Sequence, residues 1–114
     1  MPRPRNKEDL LTAAKENFRF IVDIYNYLYI GNHEKRAEIF ETCLRLFKGK
    51  IAGFHLKDYV VKGDELEIVP LGTGLMGWKD FLPIIKAECP DSYLIFEGVK
   101  DVPNSLKFVR SIAG

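Results

Sequence analysis

The chain has 114 residues, 46% of them hydrophobic and 29% charged, the size and balance of one globular domain. Seventeen Lys and Arg against sixteen Asp and Glu leave a net charge of +1, which weighs against a protein that works on nucleic-acid phosphates. Nine glycines and six prolines are too few for a low-complexity chain, and no apolar run approaches the ~20 residues of a membrane span. Neither nucleic acid nor membrane is expected as a partner. The two cysteines, Cys43 and Cys89, sit in unrelated segments without CxxC spacing, so a zinc ribbon or disulfide scaffold is not expected. Met1-Pro2-Arg3-Pro4-Arg5 lacks the apolar core of a signal peptide. The expected location is cytoplasmic.

Residues 1–17 read as an N-terminal arm and helix. The arm is basic and broken by proline up to Arg5; Asn6 then serves as an N-cap, with Asp9 in a weak capping box. Leu10, Ala13 and Ala14 give that helix a small apolar stripe ending near Glu16 or Asn17. Residues 18–24 are aromatic and β-branched, interrupted only by Arg19 and Asp23, and predict a strand. A second helix is expected over 34–47, with Ile39, Phe40, Cys43, Leu44 and Phe47 on one face, Asn32 as N-cap and Gly49 past its end.

Residues 51–58 (IAGFHLKD) predict another strand, and Lys62-Gly63-Asp64 predicts the turn of a small hairpin within 59–71. Trp78, Phe81, Leu82 and Ile85 form a third helical face, in which Pro83 should mark a kink or a first turn. Residues 93–99 (YLIFEGV) predict a strand, and Asp101-Val102-Pro103 opens a last helix carrying Leu106, Val109 and Ile112. Strands alternating with helices call for parallel pairing through helical crossovers. The fold class is α/β.

Each of these strands is apolar until its C-terminal end, where Asp23, His55 or Glu97 appears. By alternation, Arg19 and Ile21 share a face with Asp23, Ile51 and Gly53 with His55, and Tyr93 and Ile95 with Glu97. The opposite faces are uniformly apolar and suit packing under helices. Alone, an aspartate at a strand end is a turn cap and a lone histidine a satisfied core residue. The same register in three strands favours a shared site, with donor types that suit a divalent cation such as Mn²⁺, Mg²⁺ or Zn²⁺.

The ordered series Asp23-Ile24-Tyr25-Asn26, His55-Leu56-Lys57-Asp58, Pro70-Leu71-Gly72-Thr73-Gly74 and Leu94-Ile95-Phe96-Glu97 resembles the C-terminal part of the xylose isomerase-like TIM-barrel superfamily. That superfamily includes sugar-phosphate isomerases, ketose epimerases, inosose dehydratases and endonuclease IV-type AP endonucleases. The resemblance covers residues 18–114 and implies the sixth to eighth βα units of a partial (β/α)₈ barrel, with helices on the outer face. It implies divalent-metal ligands at Asp23, His55 and Glu97, proton transfer by Glu97, and substrate-side or supporting roles for Asn26, Lys57 and Asp58.

Two departures shape the expectation. Asn26 stands where many members carry histidine, and residues 59–71 contain no histidine where the trinuclear-zinc endonucleases carry a DxH element. With a near-neutral charge as well, DNA repair is disfavoured. A full barrel takes ~250 residues, and the family's glutamate on the fifth strand has no counterpart here.

The expectation is therefore a metal-dependent isomerase or epimerase of a small sugar or sugar phosphate, truncated and completed by another chain. The alternative is a non-catalytic oligomeric fragment that at most binds metal or ligand. An open sheet of three strands would leave Ile21, Ile51, Tyr93 and Ile95 facing water, so a homo-oligomer is expected, or else a second chain supplying the missing strands.

Three further features read more simply. Trp78, Tyr25, Tyr27 and Tyr29 suit a sugar site but more often pack a core or interface. Gly72-Thr73-Gly74 is a turn before it is a phosphate cradle, and His33 reads as a surface residue.

Overall fold

The computed structural model describes residues 18–113; the helix expected within 1–17 lies outside them. Three strands, β1 (Phe20–Val22), β2 (Ile51–Leu56) and β5 (Tyr93–Phe96), form a parallel sheet in the order β1-β2-β5. The hairpin strands β3 (Asp58–Lys62) and β4 (Glu65–Val69) form a separate antiparallel pair. Among the described residues there are three α-helices: α1 (Arg36–Leu46), α2 (Trp78–Glu88) and α3 (Val102–Ala113). The fold is mixed α/β, with helices filling the crossovers that parallel neighbours require. No helix among the described residues is long and apolar enough to cross a membrane.

The face assignment made from alternation holds. Val22, Phe54 and Leu56 are buried, and α1 and α2 close over them. Phe40 of α1 stacks on Phe81 of α2 with ring centroids 4.2 Å apart, and lies 6.4 Å from Phe54. Trp78, Leu82 and Ile85 complete the α2 side, and Val109 brings α3 to the same core. Each such side chain contributes about 1.5–3 kcal/mol when fully buried. The opposite face of the sheet is open at both edges: Ile21 keeps 56% of its surface and Tyr93 74%, while Ile51 and Ile95 are half-buried.

The strands are shorter than the apolar runs that predict them, for one shared reason. Where each run meets its polar residue, the chain turns. Asp23 ends β1 and caps a 3-10 turn, Ile24–Tyr27, its Oδ1 accepting from Asn26 N at 3.2 Å. Lys57 separates β2 from the hairpin, so Asp58 belongs to β3 rather than to the strand of His55. Glu97 lies just beyond β5.

The helix expected over 34–47 starts later, after a 3-10 turn at His33–Lys35. Asn32 does not cap it with its side chain. It ties the preceding loop instead, accepting from Tyr29 N and donating to Tyr27 O, both at 2.7 Å. Pro83 lies inside α2, past its first turn.

Candidate functional site

Asp23, His55 and Glu97 meet at the C-terminal end of the parallel sheet. His55 Nδ1 stands 2.8 Å from Glu97 Oε2 and 3.3 Å from Asp23 Oδ2. Lys57 Nζ lies 3.5 Å from the same Asp23 oxygen and 5.7 Å from the centre of the Tyr25 ring. Sheet pairing explains the convergence: His55 lies near the end of the central β2, and Asp23 and Glu97 follow the last residues of its parallel neighbours β1 and β5.

The two carboxylates differ in environment. Asp23 is buried and divides its work, one oxygen on the turn and the other on His55 and Lys57. The turn cap and the contacts with His55 and Lys57 thus use different oxygens of one side chain. The Glu97 side chain is 64% exposed. It is the member of the group with room to move and to meet an incoming molecule.

The donor set is one imidazole nitrogen and two carboxylate oxygens, the types that hold a divalent cation. Their separations resemble the edges of a coordination polyhedron, about 3 Å for ligand bonds of about 2.0–2.2 Å. As the side chains stand, however, no group of three or more His, Cys, Asp or Glu among the described residues is arranged to hold a metal ion. Both carboxylates close on one ring nitrogen, so a cation between them requires the exposed Glu97 side chain to swing outward. The donor chemistry fits a cation; the resting rotamers do not yet cage one.

The remaining candidates fall in different places. Asn26 is exposed, and its backbone N–H serves Asp23. Lys57 belongs to the cluster. Asp58 does not face a substrate: it is 1% exposed, and its carboxylate points into the protein. Its Oδ1 accepts from Tyr59 N at 2.9 Å and Met76 N at 3.0 Å, while Oδ2 accepts from Gly72 N at 2.9 Å and Gly74 N at 3.1 Å. Of the two roles expected for Asp58, this burial suits the supporting one, and contact with a substrate is closed off.

Tyr25, Leu28, Tyr29 and Ile30 line a shallow cavity with Asp64, Glu65 and Leu66 at the hairpin turn. Trp78 is core, with its indole Nε1 donating to Lys57 O at 2.7 Å. His33 is not a plain surface residue, since its Nδ1 lies 3.1 Å from the buried Tyr59 hydroxyl. Burial pushes the Tyr59 phenol up, partly offset by Arg36.

Sequence reasoning missed Ser105. It is fully buried; its Oγ donates to Lys100 O at 2.8 Å and accepts from Leu71 N at 3.0 Å, tying α3 to the glycine loop. No periodic signal marks it, because its role depends on a loop brought from 34 residues away.

The chain matches no family model, and no curated protein or solved structure is significantly similar to it.

Proposed function

We propose that the chain is the C-terminal βα portion of a xylose isomerase-like barrel and that its cluster serves metal-dependent proton transfer on a small sugar or sugar phosphate. The observation that carries this reading is the meeting of Asp23, His55 and Glu97 at the C-terminal ends of parallel strands, the end at which such barrels place their sites. Asp23, His55 and Glu97 would hold the cation. When bound it would polarise a substrate hydroxyl and carbonyl.

Glu97, exposed and next to His55, is the group to take a proton from a sugar carbon and return it. Lys57 holds Asp23 in place through its ammonium group. Within the cluster Glu97 is the exposed carboxylate and Asp23 is buried; an acid–base pair needs a second exposed one, so the reading includes a partner surface. The open face around Ile21 and Tyr93 supports that requirement. Self-association is our first reading of it, and a different chain supplying further strands is the alternative.

A test is to incubate the Mn²⁺-loaded protein with small ketoses and ketose phosphates in D₂O, following exchange of carbon-bound hydrogen by NMR. Protein-dependent exchange supports the isomerase or epimerase reading. No exchange by metal-loaded protein leaves the binding-only alternative, an oligomer that holds metal or ligand without turnover.

A further inference from the structure

We infer that Asp58 is a built-in anion: its carboxylate fills a backbone nest in the loop of residues 71–76, positions the strand end that carries Lys57, and can be replaced there by a small free carboxylate. The inference stands apart from the metal and sugar readings, since Asp58 touches neither His55 nor Glu97.

The loop's hydrogen bonds account for all six of its backbone N–H groups. Gly72, Gly74 and Met76 donate to Asp58, and Tyr59 adds its own N–H. Leu71 donates to Ser105 Oγ, Thr73 to Pro70 O at 3.1 Å, and Leu75 to Tyr59 O at 2.7 Å. Converging N–H groups of this kind bind anions, and here the anion is the chain's own. A buried carboxylate is costly unless its oxygens are satisfied, and four charge-assisted bonds from rigid donors satisfy them.

The loop's glycines follow from the same geometry. A Cβ at Gly74 would collide with Asp58 Oδ1 and the Tyr59 carbonyl, and one at Gly72, where φ is +87°, would collide with the Phe108 ring. Gly72-Thr73-Gly74 therefore has the form of a phosphate cradle, with the position of the phosphate already taken.

The position of Asp58 in the chain gives the nest its consequence. Lys57 precedes it, and the Lys57 carbonyl is held by Trp78 Nε1. With residue 57 anchored by α2 and residue 58 by the loop, the Lys57 side chain leaves the backbone in one direction, over Tyr25 to Asp23. Asp58 is thus a positioning residue acting through Lys57.

The test uses Asp58→Asn and Asp58→Gly in the full chain, read by thermal melting and by ¹H–¹⁵N NMR. Asparagine keeps the volume but replaces one acceptor oxygen with a donor, so the Gly72, Gly74 and Met76 amide protons should move upfield and the Tm should fall. The glycine variant should also melt lower. Formate, against chloride at equal ionic strength, should restore part of that loss saturably and return the three amides downfield. Wild type and Asp58→Asn should not respond to formate.

Positioning is read at the Lys57 ε-methylene protons. Their ring-current shift from Tyr25 should vanish in Asp58→Gly and return with formate. Wild-type Tm and amide shifts in Asp58→Asn would overturn the inference, as would a folded Asp58→Gly that ignores formate. If Asp58→Gly fails to fold even in formate, the asparagine variant decides alone. Recovery of Tm without recovery at Lys57 would overturn the positioning role.

Discussion

His55 Nδ1 stands 2.8 Å from Glu97 Oε2, although the strand register pairs His55 with Ile95. Glu97 lies two residues beyond Ile95, so the pleat returns it to the same face, just where β5 has ended and its side chain is free to reach across. The contact therefore combines a rigid partner on a central strand with a movable one past an edge strand.

Replacing Glu97 by glutamine should abolish sugar hydrogen exchange while leaving the fold intact. Loss of an exposed pair of this kind costs about 0–1 kcal/mol, and the amide cannot accept a proton. Exchange assays and urea melts of the same variant separate the two effects. Exchange at the wild-type rate would remove Glu97 from the proposed chemistry.

The open sheet face predicts association. Ile21 and Tyr93 are large and exposed on the uncovered face of the two edge strands, and such edges and faces pair with other chains. Sedimentation of the wild type should show a dimer or larger, and Ile21→Lys should shift it toward monomer. A wild type that is monomeric at high micromolar concentration would exclude self-association.

Within the helical layer, the two faces of α1 should behave differently. Phe40→Ala removes the ring stacked on Phe81 and should cost about 3–5 kcal/mol. Leu46→Ala, at an exposed position, should cost within about 0.5 kcal/mol. Urea unfolding of both variants measures the contrast.

Stability should fall in alkali. Burial pushes the Cys43 and Cys89 thiols above their ordinary value of 9.0, with Glu88 adding to the effect at Cys89, and burial pushes Tyr59 above its ordinary 10.0. Unfolding lets these groups ionise at their ordinary values, so above pH 9.0 the unfolded chain holds fewer protons than the native one. The stabilisation they give is whole below that pH and is lost as pH rises through the raised values. Cys43→Ala should make the decline of Tm above pH 9.0 shallower than in wild type.

The sequence made the α/β class and the sheet faces legible because alternation and helical periodicity record burial directly. Phe54 and Leu56 against Gly53 and His55, or Phe40 and Cys43 on one helix face, need no tertiary knowledge. The hairpin was equally clear from Lys62-Gly63-Asp64: the register places Lys62 opposite Glu65, with Gly63 and Asp64 at the turn.

Strand ends were not legible. Asp23 looks like a continuation of its strand until its side chain is seen capping the next turn. The partners of Asp58 are hidden for a related reason, since a carboxylate beside a histidine and a lysine looks like part of their chemistry. Only the approach of residues 71–76 shows that its partners are backbone N–H groups. Ser105 was missed because a buried serine carries no pattern of its own.

Calorimetric titration of metal-stripped protein with Mn²⁺ tests whether Asp23, His55 and Glu97 form one cation site. One cation site predicts binding near one ion per chain, lost in His55→Ala and weakened in Glu97→Gln. Absence of binding by the wild type, or binding that His55→Ala leaves unchanged, would contradict it.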